Sequence, residues 1–90
     1  AISRDISLVV PRNILVGEIE DIISENGGSN LESFNLFDIY EGDQIEAGFK
    51  SVAYSLTFRN KERTLLDTDV NEVMDKILKK LEEKNIKIRS

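Results

Sequence analysis

Along its 90 residues this chain alternates between two hydrophobic periods, and the order in which they come leaves few ways to fold it. Ile6, Leu8 and Val10 alternate with Ser7 and Val9 and run into Pro11, which predicts a strand from about Ser3 to Val10. Val16, Ile19, Ile22 and Ile23 then keep helical spacing, and Asn26, Gly27 and Gly28 supply left-handed residues that stop a helix, so the first helix spans 16–26. A second strand covers 32–40. Phe37 and Ile39 fall on one of its faces and Leu36, Asp38 and Tyr40 on the other, because successive side chains point to opposite sides. The third strand starts at Lys50, with Val52, Tyr54, Leu56 and Phe58 as its apolar face and Ser51, Ala53, Ser55 and Thr57 as a small, polar one. Val70, Val73, Met74, Ile77, Leu78 and Leu81 mark one stripe of a second helix. It is capped by Asp67 or Thr68 and ends near Asn85. Ile86 and Ile88 alternate with Lys87 and Arg89 in a short last strand.

Strand, helix, strand, strand, helix, strand is the ferredoxin-like split βαβ order, βαββαβ. Right-handed crossovers place both helices on one face of a four-stranded antiparallel sheet, an α+β two-layer sandwich. Residues 1–90 form one domain, since the chain is too short to split its core. The other sheet face stays open, and by parity it carries Ser7, Val9, Asp38, Tyr40, Ser51, Ser55, Lys87 and Arg89. Arg4 has the core-facing parity of Ile6 and Leu8, so an ion pair with Asp5 or a helix acid is expected of it. Arg63 and Thr64 serve entry into the second helix. Gly42, Gly48 and three acids make 41–48 a loop expected to be mobile.

The chain has no cysteine and no histidine, which removes disulfides, thiolate metal sites and imidazole or thiol catalysis. No paired acids, phosphate loop or dinucleotide glycine pattern takes their place, so catalysis by this chain alone is not expected. No apolar run approaches the ~20 residues needed to span a bilayer, and no cationic leader is present. A soluble, cytoplasmic domain without a membrane partner is therefore expected. The chain begins with Ala1 and almost at once with strand sequence, as a piece of a larger protein would. Its net charge of −5 argues against nucleic acid, because phosphate binding needs cations. The predicted helices, however, hold ten of the 17 acids and four of the 12 bases, which leaves strands and loops slightly positive.

An open sheet bearing an aromatic ring, hydroxyls, a carboxylate and terminal cations suits unpaired RNA bases, which stack on aromatics and hydrogen-bond at their edges. The same face could instead dock on another domain or on a second copy. Two further readings share the element order. A regulatory module of the ACT type binds a small molecule at a glycine-containing loop after the first strand, but Pro11 to Leu15 lacks glycine. An acylphosphatase-like enzyme wants an arginine in a phosphate-cradling loop there; Arg12 is present, again without glycine.

The segments RDISLVV, LFDIYEG and GFKS, then Phe58 with Arg63 to Leu65, and Asp67 with Val70, resemble in order and spacing the C-terminal ferredoxin-fold anticodon-binding domain of the bacterial phenylalanyl-tRNA synthetase beta subunit. The resemblance covers essentially the whole chain. It implies docking on the anticodon stem and loop of phenylalanine tRNA. The catalytic alpha subunit attaches phenylalanine elsewhere, where ATP and magnesium are used, and no cofactor belongs to this domain. It further implies that Asp38, Tyr40, Ser51 and Arg89 contact the anticodon. Tyr40 would stack on the first anticodon base, Asp38 would accept hydrogen bonds from guanine, and Ser51 would donate or accept in the same plane. Arg89, with Lys50, Lys87 and Arg4, would hold phosphate or stack. Leu66 stands where that family usually has a polar residue.

Overall fold

A computed structural model describes residues 1–89. Its elements are β1 (Ile2–Pro11), α1 (Val16–Asn26), β2 (Leu31–Tyr40), β3 (Phe49–Phe58), α2 (Asp67–Glu82) and β4 (Lys87–Ile88). The sheet order is β2-β3-β1-β4 with every neighbouring pair antiparallel, the expected ferredoxin-like α+β sandwich. Ile6, Leu8 and Val10 of β1 and Val52, Tyr54, Leu56 and Phe58 of β3 are buried against Ile19 and Ile23 of α1 and Val70, Met74, Ile77 and Leu81 of α2. All lie at the predicted periods. Tyr54 is wholly buried, yet its hydroxyl reaches the rim of the core and donates to Glu20 on α1 across 3.1 Å. Phe34 meets its ring edge-on, at a centroid distance of 6.2 Å.

The second strand departs from simple alternation. Phe34 and Leu36 pair with Leu56 and Tyr54 and face the helices, but the register then shifts between Leu36 and Asp38. This bulge sets Phe37 and Asp38 together against the single residue Ala53, so every later residue exchanges sides. Leu36 is therefore a core residue and does not share a face with Asp38 and Tyr40, as alternation had predicted. Phe37, expected beneath the helices with Ile39, is 58% exposed. Ile39 keeps the helix-side parity through its pairing with Val52, but at the end of an edge strand it remains 50% exposed.

Both helices begin on a leucine, and neither uses its own cap side chain. The Leu15 amide donates to Glu18 (3.1 Å) and the Leu66 amide to Asp69 (2.8 Å), so an acid one turn inside each helix reaches back to the cap backbone. This corrects the expectation that Asp67 or Thr68 caps α2. Asp67 instead pairs with Arg4 at 3.3 Å, the helix acid sought for that arginine, and Arg63 donates to Asp69 at 3.0 Å. The Leu66 amide and then Arg63 hold the Asp69 carboxyl below its ordinary pKa.

After α2 the chain turns through Asn85, at φ 62°, the left-handed residue that asparagine tolerates better than most. Ile86 donates its amide to the Leu81 carbonyl (3.1 Å) and Asn85 to that of Glu82 (2.9 Å), the paired bonds of a Schellman ending. Ile86 and Leu81 bury their side chains, and the chain leaves the turn aligned to enter β4 beside β1.

Candidate nucleic-acid interface

The face of the sheet away from the helices has a floor of small residues. Ser51, Ala53, Ser55 and Thr57 of β3 pair across with Val9, Ser7, Asp5 and Ser3 of β1. Ser51 and Ala53, only 5% and 6% exposed, lie sunk between larger side chains on the neighbouring strands. On one side, Tyr40 stands opposite Ser51 and Asp38 opposite Ala53. On the other, Lys87 pairs with Val9, and the Arg89 amide bonds the Ser7 carbonyl at 2.7 Å. The Arg89 side chain crosses β1, and its Nη1 approaches Ser51 Oγ to 3.5 Å.

Asp38, Tyr40, Ser51, Lys87 and Arg89 are thus gathered on one surface from three strands, as parity predicts. Lys50 is not with them. It pairs with Val10, whose side chain is in the core, so it takes the helix-side parity at the start of β3. Arg4, opposite Leu56, also points to the helix side and is engaged by Asp67.

Tyr40 is placed by its own loop. A side chain built on Gly42 would run into the Tyr40 hydroxyl and come within 2.7 Å of Cζ, so the phenol lies directly over the glycine backbone. The 41–48 loop, expected to be mobile, is tied down at several points. Ile45 is buried and bonds the Gly42 carbonyl, Phe49 bonds that of Glu46, and Arg12 bonds the Gly48 carbonyl with its amide (2.9 Å) and Glu41 with its Nε (3.0 Å). Composition could not reveal this anchoring, because it comes from one buried isoleucine and from the β1–α1 turn. Gly48 is the position that needs glycine for its conformation, at φ 90°.

The arginines and lysines of the domain are unevenly paired. Arg4, Arg12, Arg59 and Arg63 each hold an acid, whereas Lys87 and Arg89 have no ion pair among the described residues. Two cations on the open face thus remain available to an anionic ligand, beside the carboxylates of Asp38 and, farther along β1, Asp5. Among the described residues no cluster of acids is placed to hold a metal ion, and no helix is long and apolar enough to cross a membrane. An aromatic wall, a hydroxyl floor and a guanidinium opposite form a slot suited to a planar ring with polar edges and a phosphate beside it. Phe37 and Gly42 were not recognised as site residues from the sequence; the glycine directly after Tyr40 and Glu41 was the available signal for the second, and nothing signalled the first.

A family model described as the ferredoxin-fold anticodon binding domain matches residues 1–89. The phenylalanine–tRNA ligase beta subunit of Clostridium acetobutylicum is 51% identical over 81 residues, covering 90% of this chain and 10% of that protein. The corresponding subunit of Halalkalibacterium halodurans is 51% identical over 82 residues, 91% of this chain and 10% of its own length. That of Lactobacillus acidophilus is 47% identical over 90 residues, 99% and 11% respectively. The chain thus spans about a tenth of the length of these relatives.

Proposed function

Because this chain belongs to the ferredoxin-fold anticodon-binding domain family, we propose that its open sheet face binds the anticodon stem-loop of phenylalanine tRNA, as a non-catalytic module of a phenylalanine–tRNA ligase beta subunit. The observation that carries this reading is the convergence of Tyr40, Ser51 and Arg89 from three strands over a floor of small side chains. Tyr40 stacks on the first anticodon base, a contact worth about 1 to 3 kcal/mol. Asp38 accepts from the ring N–H and amino group of a guanine, and Ser51 donates or accepts in the same plane. Arg89 and Lys87 hold the adjoining phosphates. With only these two unpaired cations on the face among the described residues, the domain alone binds weakly, and the remainder of the beta subunit and the catalytic alpha subunit supply most of the affinity. Those parts use ATP and magnesium to attach phenylalanine in the cytoplasm, and this domain works without a cofactor of its own.

A small-molecule module of the ACT type is less well supported, since the turn after β1 is closed by the Ile14 amide on the Pro11 carbonyl and by Arg12 on Glu41. The test is a titration of the labelled domain with a phenylalanine tRNA anticodon stem-loop, read by amide chemical shifts, for the wild type, Tyr40→Phe and Tyr40→Ala. Shifts should cluster on β2, β3 and β4, with only the alanine variant losing them. Shifts confined to the helices, or none at millimolar RNA, would sink the reading.

A further inference from the structure

We propose that Phe37 is a second stacking platform on the open face and receives the nucleotide adjoining the one held by Tyr40. The proposal rests on the RNA reading above and extends it from one base to two. Alternation from the core-packed Leu36 sends Phe37 to the open face, and the bulge then holds Asp38 on that same side, so that both are set against Ala53. A phenylalanine 58% exposed in the middle of a strand gives up its burial, and bulges commonly re-aim a side chain beside a functional site.

What surrounds it favours a planar polar ligand over a protein surface. Ala53 and Ser55 leave the floor low beside the ring. Phe37 and Tyr40 are about 10 Å apart along the strand, at ~3.3 Å per residue, so adjacent nucleotides can each meet one ring. Asp38 lies between the two aromatics as a hydrogen-bond acceptor, and the unpaired Lys87 and Arg89 lie across the same face. Successive bases on successive aromatics is the arrangement by which open sheets hold single strands.

The experiment uses this chain and a phenylalanine tRNA anticodon stem-loop carrying fluorescent aminopurine at one loop position at a time. Two adjacent positions should change emission on binding, one dependent on Tyr40 and the other on Phe37. Phe37→Leu retains apolar bulk without a stacking plane; it should abolish the second response and weaken binding about 5- to 150-fold. Phe37→Trp should retain both, and the unfolding midpoints should stay near wild type. If Phe37→Leu binds as the wild type does while Tyr40→Ala fails, the second platform is overturned and the RNA reading stands. If the wild type gives no response at any position, both fall.

Discussion

Arg89 and Ser51, 38 positions apart in the chain, meet on the open face, with the guanidinium Nη1 3.5 Å from the serine oxygen. The arginine spans the whole width of β1 to make this contact, and so is held where a phosphate or base edge can reach its remaining donors. Arg89→Ala should weaken RNA binding and flatten its dependence on salt, by about 0.7 in the logarithmic slope if a single phosphate contact is lost. Arg89→Lys should restore the slope but not the full affinity, because a lysine lacks the planar fork. Ser51→Ala should cost less than about 1 kcal/mol of stability. Isotherms at several salt concentrations check these outcomes.

The contact between Tyr40 and Gly42 leads to a different prediction. A methyl group on Gly42 would occupy the place of the phenol, and the exposed tyrosine would swing aside rather than the loop unfold. Gly42→Ala should therefore reduce RNA affinity nearly as far as Tyr40→Ala, while the unfolding free energy moves by no more than about 1 kcal/mol. Unchanged binding would mean that the tyrosine is not oriented by its loop.

Tyr54 makes the fold sensitive to alkali. Burial first, and then its bond to the Glu20 carboxylate, push its pKa well above the ordinary 10.0. The native state thus holds a proton that the unfolded chain releases. This contribution is complete below pH 10 and is lost as pH rises beyond it. Resistance to urea should fall steeply above that pH in the wild type and less so in Tyr54→Phe, which at neutral pH should lose about 1 kcal/mol.

Asn85 governs where the last strand lies. Replacing this left-handed residue with glycine should leave stability within about 1 kcal/mol, whereas Asn85→Val should cost about 1 to 2 kcal/mol or more. The valine variant should also bind RNA less well, because Lys87 and Arg89 follow directly from the turn. Comparing unfolding free energies with RNA titrations of the same two variants distinguishes a local cost from a displaced strand.

Much of this arrangement was legible in the order of residues. The two periods placed all six elements, and parity alone brought Arg89 to the face of Ser51 from the far end of the chain. Lys50 was grouped with the RNA-contacting cations, yet as the immediate neighbour of Ser51 it takes the opposite face, pairing with the core residue Val10. Alternation broke down at Phe37, because one inserted residue reverses every later side and leaves no compositional trace. The caps were missed for a related reason. An acid at the third helical position can serve the amide of a leucine, so the start of α1 carries no acceptor at its cap, while at α2 Asp67 and Thr68 offered acceptors that the cap does not use. The anchoring of 41–48 depends on a buried isoleucine inside an otherwise polar stretch, a long-range contact that local composition does not report.

The register shift that sets Phe37 and Asp38 on one side also affects how the domain behaves among copies of itself. β2 is a ten-residue outer strand with exposed apolar side chains, the kind of edge onto which another chain can add a strand and begin to aggregate. Its two irregularities, between Leu31 and Ser33 and between Leu36 and Asp38, interrupt the even row of amides and carbonyls that such addition would need. The opposite edge, β4, is only two residues long. A sheet open on one face is thereby kept from growing sideways, and its exposed aromatics can remain uncovered without recruiting a second sheet.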